Sequence, residues 1–93
     1  MNTVKILGLT YRIERVPVVS RDEKLFGMIN YEDLVISIDE ALSPERQKVT
    51  ILHEIIHGIL EALGLSPENE NETLVQGLTS ALYQCFLDNR DLF

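Results

Sequence analysis

His53 and His57 are the only histidines in the chain, four residues apart, with Glu54 directly after the first. The pattern H-E-x-x-H does chemistry when it lies on a helix. There, residues four apart share a face about one turn up the axis, roughly 6 Å along it. Two imidazoles placed that way converge on a single Zn²⁺ at about 2.0–2.1 Å each. Glu54 is offset by about 100° and reaches a metal-bound water more readily than the metal. This is the arrangement of a zinc hydrolase, two ligands and a general base from one helical turn. The bland alternative is two core or surface histidines that happen to share a helical face.

A catalytic zinc site needs a third protein ligand and an open position for water. Both histidines are already used, so the third ligand must be a carboxylate or Cys85. The longer motif H-E-x-x-H-x-x-G-x-x-H is excluded, because Leu60 and Leu63 stand where it needs Gly and His. A Glu from a following helix remains, and Glu68, Glu70 and Glu72 are the candidates. Helical phase puts Glu72 on the flank of a buried stripe, three residues before Val75 and ten before Leu82. Glu70 aligns with Leu74 and Ala81, farther round, and Glu68 falls in a Pro-containing loop. Glu72 is favoured, with Glu70 next. An acidic helix N-terminus that complements the dipole would explain the same cluster without a metal.

The elements that position these residues are legible in outline. Ser43-Pro44-Glu45 is a helix start: a capping hydroxyl, a proline suited to the first turn and an acid that complements the dipole. Val49, Leu52, Ile56, Ile59 and Leu63 follow the 3,4 rhythm, with Ile51, Ile55 and Leu60 widening the stripe, and Gly64 is the stop. A stripe that broad means a helix covered on most sides, with the motif at its middle. Ser66 to Asn71 reads as a polar loop or frayed turn. A second helix is predicted from Glu72 to Asp88, with Val75, Leu78, Leu82, Cys85 and Phe86 on its apolar face and a loose tail from Asn89. Its place on that face makes Cys85 a packed core thiol.

Upstream, Thr3 to Leu7 and Leu9 to Val16 are β-rich, with Gly8 as a tight turn or a bulge and Pro17 as the end of the unit. Arg21 to Lys24 reads as a charged loop. Leu25 to Tyr31 and Leu34 to Asp39 read as two strands of an antiparallel hairpin. The predicted fold class is α+β: a small antiparallel sheet packed on the motif helix, with a second antiparallel helix behind.

Ninety-three residues are expected to form one domain over 1–93. A net charge of −7 with scattered Lys and Arg argues against a nucleic-acid surface, which needs a basic stripe. No apolar run approaches the roughly 18 residues of a membrane span. Lys5, Arg12, Glu14 and Arg15 interrupt any signal-peptide core. The single Cys85 forbids an internal disulfide and fits a reducing compartment, so the cytoplasm is expected.

Three stretches together carry a resemblance. Gly27-Met28-Ile29-Asn30-Tyr31 is followed by Leu34-Val35-Ile36-Ser37-Ile38, and then by the Ser43-Pro44 start leading into Thr50-Ile51-Leu52-His53-Glu54-Ile55-Ile56-His57-Gly58. The chain resembles the small metallopeptidase-like proteins of bacterial phages and prophages, which stand near the ImmA/IrrE-type zinc peptidases. The resemblance covers nearly the whole chain and is strongest from His53 to His57. It implies a minimal zincin fold, with His53 and His57 as zinc ligands, Glu54 as catalytic base and Glu72 as gluzincin-like third ligand. ImmA/IrrE-type proteins usually carry further segments after the second helix. The resemblance therefore implies a cleft that is shallow here, or completed by a protein partner or a second copy.

On this reading the partner is a peptide or protein substrate, added as a strand to the sheet edge. Glu54 takes the proton of the attacking water and passes it to the leaving amine. Tyr31, Tyr83 and Arg46 are the side chains available to stabilise the oxyanion. The competing reading is a zinc-holding regulatory or interaction module that cleaves nothing by itself, since so small a chain leaves little wall for a specific pocket.

Overall fold

The computed structural model describes residues 2–17 and 26–93. The charged stretch 21–24, expected as a loop, and Leu25, expected to open a strand, lie outside the described residues. The first two strands, β1 (Thr3–Ile6) and β2 (Leu9–Val16), form an antiparallel hairpin in which Ile6 faces Leu9. Leu7 (φ 46°) and Gly8 (φ 89°) are both left-handed, the geometry a two-residue hairpin loop requires. Gly8 is thus a tight turn and not a bulge.

The second hairpin pairs β3 (Gly27–Asn30) with β4 (Val35–Asp39). Its turn is held by Asn30, whose Oδ1 accepts from the N–H groups of Glu32 at 3.0 Å and Asp33 at 2.9 Å. Leu34, expected as a strand residue, is instead the left-handed residue that ends the turn (φ 57°).

The sheet order is β1-β2-β4-β3, and β2 runs parallel to β4. The sheet is therefore mixed, two antiparallel hairpins joined through a parallel pair, where a wholly antiparallel sheet was expected. In the sheet β4 lies between β2 and β3. With β3 antiparallel to β4 and β4 parallel to β2, β3 is the edge strand among the described residues.

Two helices stack on one face of this sheet. The first, α1 (Pro44–Ala62), begins as predicted: Ser43 Oγ accepts the N–H of Arg46 at 3.2 Å with Pro44 in the first turn. Gly64, left-handed at φ 73°, follows its end. Residues 66–69, read as a loop or frayed turn, form a single helical turn, α2 (Ser66–Asn69). The predicted second helix is α3 (Glu72–Asp88), capped by Asn71, which accepts from Leu74 N–H at 3.0 Å.

Ile6, Tyr11, Ile36 and Ile38 form the core between sheet and α1, with Ile51 and Ile55 packed against them. On the other side of α1, Ile56 and Leu60 bury against Val75. Glu72 lies by His57, Thr79 by His53, and Leu82 with Leu52, so α3 runs antiparallel to α1. The layers are sheet, α1, α3.

Only Val75 and Thr79 of α3 are buried. Cys85, expected in the core, is exposed, because the α1–α3 contact is narrow and has faded by that turn. The tail expected to be loose forms a 3₁₀ turn, Arg90–Leu92, and Phe93 meets Phe86 edge-on at 5.2 Å between ring centroids. No helix among the described residues is long and apolar enough to cross a membrane.

Candidate metal centre

Four-residue steps along α1 sort its faces. Thr50, Glu54 and Gly58 are buried toward the sheet, while His53 and His57 face the start of α3. Gly58 lets the sheet come close: a methyl there would lie 2.8 Å from Ile6 Cδ1 and 3.2 Å from Ile29 Cδ1. Gly27, at the start of β3, does the same from the other side. A methyl on it would meet Thr50 Cγ2 at 2.6 Å and Glu54 Oε2 at 3.2 Å. Two glycines thus bring the edge strand down onto the motif helix, directly over Glu54.

Glu72 is the first helical residue of α3 and reaches both imidazoles. His57 Nε2 lies 2.8 Å from Glu72 Oε1, and His53 Nε2 lies 3.3 Å from Oε2. The ligand atoms of His53, His57 and Glu72 all fall within 4.8 Å of one another. Glu70 is exposed at the end of α2 and is not part of this cluster, and neither is Glu68.

The other ring nitrogens have their own partners. His57 Nδ1 lies 2.6 Å from Asn69 Oδ1, a carbonyl oxygen that can only accept, so Nδ1 carries the proton. Thr79 donates its hydroxyl to Val75 O at 2.7 Å, leaving an oxygen lone pair 3.4 Å from His53 Nδ1. Each Nδ1 therefore has an acceptor for its proton, and each Nε2 is turned to the Glu72 carboxylate.

That convergence of lone pairs tests the donor set for a metal. Two imidazole lone pairs and a carboxylate repel one another unless a cation or a proton lies between them. Tetrahedral zinc with bonds of about 2.0–2.1 Å spaces its ligand atoms by roughly 3.3 Å; the two N···O separations here are 3.3 and 2.8 Å, and the three ligand atoms lie within 4.8 Å of one another. Two nitrogens, one carboxylate and an open fourth side fit a catalytic zinc position. His53 is held below the usual histidine range, chiefly by burial, with the Glu72 charge opposing, which favours the neutral ring a metal needs.

Glu54 is 7% exposed, and burial pushes its carboxyl up to about 7; the nearby His57 opposes that shift and Glu72 adds to it. It shares a cavity of about 480 Å³ with His53, His57, Glu72, Tyr31 and the β3 residues Gly27, Met28 and Ile29. A second cavity of about 270 Å³ opens beside His53 and Glu54, walled by Phe26, Val49, Thr50 and Gln76, with Arg46 stacked over Phe26 at 5.7 Å.

Of the three side chains considered for the oxyanion, Tyr31 lines the site, and its hydroxyl accepts from Asn69 Nδ2 at 3.1 Å. Arg46 lies in the neighbouring cavity. Tyr83 is in a separate cavity with Lys48, Leu52 and Phe86. Sequence reasoning missed Asn69, Thr79 and Gly27. Thr79 carried a signal, standing seven residues after Glu72 on the same helical face. Asn69 carried none, because nothing in a polar stretch marks which amide turns inward.

A mixed sheet packed on a His-Glu-x-x-His helix, with a carboxylate delivered by the next long helix, is a minimal zincin-like fold. The model of the peptidase family described as the IrrE N-terminal-like domain matches residues 9–78, and the chain belongs to that family. Neither a curated protein nor a solved structure matches the chain.

Proposed function

We propose that the protein is a zinc-dependent peptidase in which His53, His57 and Glu72 hold the metal and Glu54 is the general base. The observation that carries this is the meeting of two Nε2 lone pairs with the Glu72 carboxylate, beside a buried carboxyl in the same cavity. A zinc ion held there would polarise a water and a peptide carbonyl at neutral pH. Glu54 removes a proton from the attacking water, and its raised affinity for protons suits that task near neutrality. The same carboxyl then returns the proton to the leaving amine.

Substrate is held along β3. Asp39 N–H bonds Phe26 O at 2.9 Å, so in this register Phe26, Met28 and Asn30 turn their backbone groups toward β4. The N–H and C=O groups of Gly27 and Ile29 then face the free edge, where no strand among the described residues pairs with them. An extended peptide adding there would have its backbone laid over Glu54 and the histidines.

The phage or prophage lineage rests on the sequence resemblance, and work in the cytoplasm on the lone cysteine. The chain acts as one unit, without nucleic acid or membrane. The Glu72 side chain is 67% exposed, so the cleft is open on the α3 side and a protein partner or second copy would complete it. That exposure also favours a second reading, a zinc-holding regulatory module without proteolysis of its own.

The experiment compares Glu54→Gln with His57→Ala for zinc content and for hydrolysis of a quenched-fluorescence peptide pool. Glu54→Gln should keep one zinc per chain and lose cleavage, while His57→Ala loses both. Release of zinc from both variants alike would make Glu54 a ligand and end its role as base. Zinc-loaded wild type that cleaves nothing would favour the regulatory module.

A further inference from the structure

Asn69 touches two functional groups from an element that contributes nothing else to the site. We infer that it is a positioning residue that sets His57 for the metal and turns the Tyr31 hydroxyl into the cleft, making Tyr31 the donor to the substrate oxyanion. The inference rests on the peptidase reading and deepens it.

The geometry orients the Asn69 amide. Asn69 Oδ1 accepts the Nδ1 proton of His57 at 2.6 Å, so Nε2, beside Glu72, is the nitrogen left for a metal. The amide nitrogen then points the other way and donates to Tyr31 Oη at 3.1 Å. A phenol oxygen that accepts there must send its own proton elsewhere. Tyr31 lines the cavity of Glu54, His53, His57 and Glu72, and a substrate carbonyl in that cavity is the acceptor for the free O–H. Burial raises the Tyr31 phenol above its ordinary value, so it remains a donor throughout the neutral range. One carboxamide thus couples the metal's imidazole to the group that stabilises negative charge on the substrate. A carboxylate could not do both, since it accepts from His57 but has no hydrogen for Tyr31.

Asn69→Asp separates the two roles, Asn69→Leu removes both, and Tyr31→Phe removes the second. The probes are zinc, titrated against a chromophoric chelator, and acetohydroxamate, which offers the loaded protein a zinc-binding oxygen beside Tyr31. Imidazole ¹⁵N spectra of metal-free protein report the His57 tautomer, and ultraviolet absorbance reports ionisation of the phenol. Asn69→Leu should weaken zinc about 10–100-fold, as is usual when the partner of a ligating histidine is lost, and release the fixed Nδ1–H tautomer. Asn69→Asp should hold both near wild type while the Tyr31 phenol ionises at higher pH. Tyr31→Phe should leave zinc affinity unchanged and weaken acetohydroxamate about tenfold.

The inference fails for Asn69 if Asn69→Leu keeps wild-type zinc affinity and tautomer, or if Asn69→Asp behaves like Asn69→Leu. It fails for Tyr31 if Tyr31→Phe binds acetohydroxamate normally. A wild type that takes up no zinc would overturn the peptidase reading instead, and the two metal-free spectra would still decide whether Asn69 orients His57 and Tyr31.

Discussion

The two long helices stand in different relations to the rest of the molecule. The first, α1, is gripped on two sides, by a sheet core whose Ile36 and Ile38 are fully buried and by α3 at Ile56 and Leu60. By contrast, α3 buries only Val75 and Thr79 and leaves Leu74, Leu78, Phe86 and Leu87 more than a third exposed. The groups that need fixed geometry, His53, Glu54 and His57, sit on the gripped helix. Glu72, the proposed third ligand, sits at the first turn of the lightly held one. Where packing is thin, a cation shared by His53, His57 and Glu72 would link the layers, so metal binding and docking of the start of α3 should be coupled.

The largest expected effect breaks that link. Zinc at 1,000 times its dissociation constant should stabilise the fold by about 4 kcal/mol. Chelation should remove this and expose amides in α2 and the first turns of α3 to hydrogen exchange, while those of β2 and β4 keep their protection. Uniform loss of protection across both regions would show that the layers open together and that α3 is no weaker than the sheet side.

A second, somewhat smaller effect belongs to the gripped side alone. The Glu54 carboxyl is raised in the folded, metal-free protein from 4.5 to about 7. Between those values Glu54 holds its proton in the folded state but not in the unfolded chain, so its contribution to stability is fully present below about pH 4.5 and is lost as pH rises through 7. At about 1.4 kcal/mol per pH unit, the loss is on the order of 3 kcal/mol. In chelated protein, thermal melts from pH 5 to 8 should show this slope in wild type and a flatter one in Glu54→Gln. Equal slopes would mean that Glu54 is better solvated than its burial implies.

The smallest effect sharpens the contrast with one glycine from each helix. Gly58 on α1 has Ile6 and Ile29 where a methyl would go, whereas Gly77 on α3 has nothing within 4 Å. Gly58→Ala should therefore destabilise by about 1–3 kcal/mol through overpacking, despite the better helix propensity of alanine. Gly77→Ala should stabilise by about 0.5–1 kcal/mol. Denaturant midpoints measure both, and shifts of the same sign would dissolve the difference in packing between the helices.

What the sequence disclosed follows the same division. Both long helices carry local signals at their ends, Ser43-Pro44, Gly64 and the turn before Glu72, and their bounds are read within a residue or two. The motif residues are fixed relative to each other by helix geometry alone, and helical phase singles out Glu72 from Glu70. Strand partners are another matter. Nothing local in β2 or β4 says that they pair in parallel, because that depends on where the chain between β2 and β3 travels. Cys85 misleads for a related reason: an apolar stripe shows which face can be buried, not how far a partner extends along it. Asn69 became visible only when α2 was folded against both His57 and the β3–β4 turn.

The most direct test of the metal centre is zinc affinity, measured by chelator competition on wild type, Glu72→Gln and Glu70→Gln side by side. One zinc should bind per wild-type chain. Glu72→Gln should weaken it by more than the 10–100-fold typical of groups that only support a ligand. Glu70→Gln removes an exposed carboxylate at the end of α2 and should change affinity by less than about threefold. Wild-type affinity in Glu72→Gln, or a loss in Glu70→Gln as large as that expected of Glu72→Gln, would contradict a site closed by the first turn of α3.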